Sequence, residues 1–397
     1  MAHPSKARDR PSRPKKAKPP NAVEVALNTW FASLPEGVLA DHNIQALVAQ
    51  APKGWSVYEP MVLLPAGSFT SEAWRAVLEH IPSGGAADLW ERILANIPKP
   101  SRHAKLTHLA ANEGIPLHSG DGAEENILRS PIGLRTLYGD FGPSAVLDAA
   151  KRITPEDLDK AFWVSTTQNG IYQKWAPRWT MFSRGNVKEK ARLLDFHKPS
   201  PSQSRENRVM SQKALKNRWA VDLYAGIGYF TFSYAKLGLH VLCWELNPWS
   251  VAGLKQAASP NGFDVRVIEG EDLQNLDMRT ILAQPSQITV FVESNGEVRS
   301  LNTVEVLHIN GGFLPTSEPT WQDAWNLVRE GRKAWLHLHE NVGVNDIEKR
   351  KAEILQLFDG FCTSEGLMRH ITVEHVEQVK TFAPGVWHCV FDVYITR

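Results

Sequence analysis

Apolar residues change their spacing along this chain, and the changes divide it. Residues 219–224 and 240–244 are short apolar runs, and residues 230–237 between them carry apolar side chains at helical intervals. The pattern predicts a buried strand, a helix and a second buried strand. The alternation continues with a helix over 249–258, strands over 265–268, 288–292 and 304–309, a helix over 321–329, a strand over 334–339 and a helix over 347–358. Residues 371–379 and 386–395 read as a closing antiparallel pair. Strands that alternate with helices form a parallel, doubly wound sheet, so residues 218–397 are expected to be a Rossmann-like α/β domain. Ligands of such sheets bind at the carboxyl ends of the strands.

The preceding chain is less regular. Residues 21–102 read as a helical region, with amphipathic helices over 73–81 and 86–97 and a buried strand in the stretch 58–69. Trp30, Trp55, Trp74 and Trp90 lie on its apolar faces, where core packing is the expected role and stacking on bases the lesser one. Residues 103–196 are mixed α+β: Thr154 opens a helix, and 162–167 with 170–175 form a strand pair around an Asn-Gly turn at Asn169 and Gly170. Residues 197–217, rich in Pro and Ser, read as a linker. Residues 1–20 carry seven Lys and Arg among prolines and are expected to be a disordered basic tail.

Composition then removes several classes of function. The net charge of +1 makes any nucleic-acid surface a local patch. The three cysteines, Cys243, Cys362 and Cys389, form no Cys-x-x-Cys pair and lie in apolar stretches. Disulfides and a zinc site are therefore not expected, and the compartment is expected to be reducing. No apolar run has the length of a membrane span, and the first residues lack a signal-peptide core. One patch is locally basic: residues 174–192 hold Lys174, Arg178, Arg184, Lys188, Lys190 and Arg192, interleaved with Trp175, Trp179 and Phe182. Cations for phosphates and aromatics for bases are what an RNA groove uses, although a solvated basic helix has the same composition.

The candidate chemistry lies between the first two strands of the α/β domain. Asp222 stands near the end of the first, Gly226 and Gly228 allow a tight turn, and Glu245 stands at the end of the second, where it can bind both hydroxyls of a ribose. A dinucleotide fingerprint would place a third glycine near position 231, which is Thr231, followed by Phe232. A nucleoside without a pyrophosphate fits better, and S-adenosylmethionine (AdoMet) is the common one.

Four motifs in order carry a specific resemblance: MFSRGN at 181–186, DLYAGIGYF at 222–230, ELNP at 245–248 and NGGFLPTS at 310–317. From about residue 58 onward the chain resembles the tRNA wybutosine-synthesizing protein 2 family, in its fungal form. The resemblance implies a class I AdoMet methyltransferase-like sheet preceded by a smaller α+β domain. It implies transfer of the aminocarboxypropyl arm of AdoMet to the tricyclic base 3′ of the anticodon of phenylalanine tRNA. A cytoplasmic enzyme needing no metal and no obligate protein partner is expected. By the same resemblance Ser183 and Lys190 contact AdoMet and Glu245 holds its ribose. The family's adenine-binding triplet has two counterparts, Glu271-Asp272 and Ser294-Asn295; the second has the better preceding strand and is preferred. Asn310 is the candidate for orienting the base. The rivals are the related tRNA guanine-N1 methyltransferase and a non-catalytic AdoMet- or RNA-binding module.

Overall fold

A computed structural model of the chain describes residues 20–40, 42–82, 84–102, 104–112, 118–119, 124–125, 131, 133–143, 153–199, 208–298, 301 and 304–397. Nearly all of the expected tail and the centre of the expected linker lie outside these residues. Two compact units emerge: Met1–Val57 with Met61–Asn112 and Arg135–Gly139, and Tyr58–Pro60 with Glu113–Leu134 and Asp140–Arg397.

The first unit is less helical than its sequence suggests. Its helices, including Ala22–Phe31, Glu72–His80 and Gly85–Asn96, accompany a four-stranded sheet in which Met61–Leu64 pairs in parallel with His108–Asn112. Trp30, Trp74 and Trp90 are buried in one core with Phe69. Their burial leaves none of the three a free face for a base.

The second unit is built on an eight-stranded sheet. Its strands are β1 (Trp219–Asp222), β2 (His240–Trp244), β3 (Val265–Ile268), β4 (Ile288–Phe291), β5 (Val306–Gly311), β6 (Lys333–Gly343), β7 (His370–Ala383) and β8 (Val386–Thr396). Their order is β3-β4-β2-β1-β5-β6-β8-β7. The pairs from β3 to β6 are parallel, and β8 runs antiparallel to both its neighbours. Beyond β1 the chain first fills one side of the sheet, then returns to fill the other. The switch point, where such sheets hold ligands, is therefore at the carboxyl ends of β1 and β5.

Residues 140–196 belong to the same compact unit as the sheet, whereas the sequence places a boundary at 196/197. The hairpin Val164–Gln168 and Ile171–Trp175 packs on the helix Pro248–Ala258. Gly253 makes this approach possible: a Cβ there would lie 2.5 Å from the Lys174 carbonyl oxygen. Asn261 then bonds both backbone groups of Tyr172, accepting from N at 2.8 Å and donating to O at 2.7 Å. Backbone groups that would otherwise be orphaned are thus paired across the expected boundary.

Candidate active site

At the switch point the side chains of β1 and β5 meet. Asp222 and Asn310 lie opposite one another in parallel register, both with no exposed surface. Asp222 accepts from Asn310 Nδ2 at 2.9 Å and from Thr231 Oγ1 at 2.8 Å. Burial raises its pKa, and the bonds from Asn310 and Thr231 oppose that rise. The Oδ1 atom of Asn310 is buried without a partner. Asn310 is expected from sequence to orient the base from the strand mouth. In the structure its amide nitrogen is committed to Asp222.

The glycine loop leaves β1 with Gly226 at φ 54° and Gly228 at φ 85°, a region that disfavours other residues. Space excludes them as well, since Cβ atoms there would stand 2.7 Å from the Tyr229 ring and 2.6 Å from the Phe232 ring. Glu245, at the end of β2, anchors the loop. Its Oε2 accepts from the Gly226 N–H and its Oε1 from the Asn247 N–H, each at 2.7 Å. Burial pushes its pKa up to about 7 against those two bonds. A third backbone contact, from Leu246, also bears on the carboxylate, which keeps acceptor capacity for a ribose hydroxyl. Glycine turn, fixed acid and an unpaired buried amide oxygen form a cradle that fits a nucleoside.

Strand order bears on the adenine contacts. β4 lies directly beside β2, whereas β3 is one strand further out. Neighbouring strands are about 4.8 Å apart, so Glu271-Asp272, which follow β3, start roughly 10 Å from the strand of Glu245. Ser294-Asn295 follow β4, and Asn295 Nδ2 donates to the Leu223 carbonyl at 2.9 Å, next to the glycine loop. Glu293 accepts from the indole of Trp244 at 3.3 Å.

Ser183 and Lys190 have different surroundings. Ser183 donates its N–H to the Tyr229 hydroxyl at 3.3 Å, and that hydroxyl donates to the Met181 carbonyl. Tyr229 therefore ties the glycine loop to the 181–183 segment, a link that nothing in the sequence signalled. Lys190 has no exposed surface. Its ammonium donates to Gln173 Oε1 at 2.7 Å and Gln168 Oε1 at 3.1 Å, and lies 5.1 and 5.4 Å from the Phe182 and Tyr229 ring centroids. Burial without a carboxylate lowers its pKa to about 7.

The basic stretch is largely internal. Arg192 pairs with Glu189 and Asp392, Lys188 with Glu377, and Arg178 donates to the Phe141 carbonyl. Trp175 stacks on Phe182 at 4.4 Å and Trp179 on Trp249 at 5.1 Å. Lys190, Arg192 and Trp175 are thus committed to packing and polar contacts within the unit, whereas Arg184 and Lys188 are exposed.

A buried histidine chain lies on the same face of the sheet. The Arg208 carbonyl, His197, His308, His337 and Asp392 are joined by successive hydrogen bonds. Both ends accept only, so four bonds need four protons, and three neutral imidazoles supply three. Burial lowers the His197 pKa to about 4, against the favourable bond to the Arg208 carbonyl. This shift predicts acid sensitivity. Unfolded His197 takes up a proton near pH 6.5 and the folded form only near 4. The contribution is complete above pH 6.5 and lost as pH falls toward 4, by about 3 kcal/mol. Denaturant titrations at pH 7.5 and 4.5 should show a smaller acid loss in His197→Asn than in wild type; equal losses would contradict this.

Among the described residues no helix is long and apolar enough to cross a membrane, and no group of three or more His, Cys, Asp or Glu could hold a metal ion. No protein-family model matches the chain. Among curated proteins it is 37% identical to tRNA wybutosine-synthesizing protein 2 of Schizosaccharomyces pombe, over 86% of this chain and 72% of the relative. It is 32% identical to the Saccharomyces cerevisiae protein of the same name, over 87% of this chain and 75% of the relative. Among solved structures it resembles P. horikoshii TYW2 in complex with MeSAdo, with a TM-score of 0.57, 17% identity and coverage of 94% and 99% of the two chains. It also resembles Trm5b from Pyrococcus abyssi, with a TM-score of 0.53, 13% identity and coverage of 91% and 81%. These likenesses bear out the expected methyltransferase-like fold. With two relatives above 30% identity along most of their length, the chain belongs to the tRNA wybutosine-synthesizing protein 2 family.

Proposed function

We propose that this protein transfers the 3-amino-3-carboxypropyl group of AdoMet to carbon 7 of the tricyclic 4-demethylwyosine base, 3′ of the anticodon in phenylalanine tRNA. The observation that carries the reading is the Glu245 carboxylate fixed to the Gly226 N–H beside the Asp222–Asn310 pair, in a chain of this family. AdoMet, when bound, supplies the γ-carbon: its bond to sulfur breaks as the bond to the base carbon forms, the electron pair stays on sulfur, and the ring proton is lost to solvent.

The protein's part is binding and positioning. Glu245 takes the ribose hydroxyls, and Ser294-Asn295 lie where adenine would meet the end of β4. Ser183 faces the polar end of the methionine arm. Lys190, enclosed between its glutamines, keeps the rings of Phe182 and Tyr229 in place beside it. Asn310 holds Asp222 and offers its unpaired Oδ1 to the site. Attack by an electron-rich ring carbon needs little acid–base assistance, so holding the γ-carbon about 3–3.5 Å from it dominates the rate.

The by-product tests this reading. With AdoMet and phenylalanine tRNA carrying the tricyclic precursor, the protein should release 5′-methylthioadenosine, read by chromatography. S-adenosylhomocysteine instead would indicate a methyltransferase. Neither product, with both substrates verified, would indicate a binding module.

A further inference from the structure

Lys380, on β7, is a half-buried lysine with an unusual setting. Its ammonium donates to Ser183 Oγ at 3.3 Å, and no ion pair with a carboxylate is present among the described residues. Burial lowers its pKa. Its side chain reaches Ser183 by passing over Gly185, where a Cβ would stand 2.4 Å from Lys380 Cδ and 2.8 Å from Nζ. The glycine of the Ser-x-Gly motif is thus the gap through which a lysine 197 residues away from Ser183 arrives.

Lys380 also borders a row of unsatisfied polar atoms. It lies opposite His388 in the β7–β8 pairing. His388 Nε2 shares a 2.9 Å hydrogen bond with His339 Nδ1, and the His339 ring is 4.9 Å from that of Phe230 in the glycine-loop motif. His388 and His339 are each 1% exposed, yet His388 Nδ1 and His339 Nε2 have no partner. Asn310 Oδ1, also unpaired, lies on the adjoining strand. Buried polar atoms without partners are costly, which points to a polar ligand that completes them.

We infer that Lys380 and Ser183 together clamp the α-carboxylate of the methionine arm. The inference rests on the proposed AdoMet reading and assigns one part of that site. One ammonium proton is used on Ser183, leaving two, and the Ser183 hydroxyl proton is free to donate. A carboxylate between them meets three donors and supplies the missing negative charge. The neighbouring histidine dyad shares one proton across its internal bond, so one of its two outer nitrogens is always an acceptor, suited to the α-ammonium of the same arm. Lys190 is set apart from this clamp, because two of its three protons face glutamine oxygens and it has no exposed surface.

The test compares two nucleosides that differ by the arm. Full-length wild type, Lys380→Met and Ser183→Ala are titrated calorimetrically with AdoMet and with 5′-methylthioadenosine, which keeps the adenosine and sulfur but lacks the carboxylate. Lys380→Met should bind AdoMet at least tenfold more weakly, bind 5′-methylthioadenosine within twofold of wild type, and melt at an unchanged temperature without ligand. Ser183→Ala should show the same selective loss to a smaller degree, and it carries the test if Lys380→Met folds poorly. Unchanged AdoMet affinity, or equal losses for both nucleosides, would overturn the clamp. Wild type that binds neither nucleoside would overturn the AdoMet reading itself, and the clamp with it.

Discussion

Asp392→Asn is expected to remove about 3–5 kcal/mol of stability, the range for breaking a buried ion pair by deleting one partner. Asp392 has no exposed surface and receives Arg192 at 2.6 Å, Arg208 at 3.1 Å and His337 at 2.8 Å. Burial disfavours its charge, but Arg192 and His337 outweigh that and hold its pKa well below the ordinary carboxylate range. Glu189 and Glu374 neutralise the outer sides of the two arginines. Removing the Asp392 charge leaves Arg192 and Arg208 without the buried carboxylate that they share. Domains are stable by only about 5–15 kcal/mol, so the variant should melt far below wild type. A loss under about 1 kcal/mol in denaturant titration would contradict the charge assignment.

Glu245→Ala should weaken AdoMet binding by roughly 1.5–3 kcal/mol, the range for hydrogen bonds to a charged group. The same carboxylate secures Gly226, so part of the loss comes through the loop. Because burial raises the Glu245 pKa to about 7, wild-type affinity should fall as pH drops through that value. The carboxylate is then protonated and loses acceptor capacity. Glu245→Gln, which cannot ionise, should bind weakly at every pH with a flat profile. Calorimetry showing wild-type affinity in Glu245→Ala would remove Glu245 from the site.

Much of this was legible because it is local in sequence. The unit from Trp219 to Glu245 reads directly as strand, glycine turn, helix, strand and acid, and the structure builds it that way. The preceding strand likewise favoured Ser294-Asn295, and that strand, β4, is the neighbour of β2 in the sheet. Relations that depend on register were not legible. His197, His308 and His337 are far apart in the chain and meet only once β5, β6 and the 187–198 segment pack together. Lys380 reaches Ser183 for the same reason. Composition also does not say which face of the helix Val187–Leu194 is inward, and Lys190 and Glu189 of the basic stretch are buried.

The central claim is that the γ-carbon arm, not the methyl group, leaves AdoMet. The most direct measurement incubates the protein and precursor tRNA with AdoMet labelled either at the carboxyl carbon or at the methyl carbon, and counts label retained on the RNA. The account predicts that carboxyl label enters the tRNA and methyl label does not, and that tRNA with unmodified guanine at the same position gains little of either. Methyl label on the tRNA without carboxyl label would contradict it.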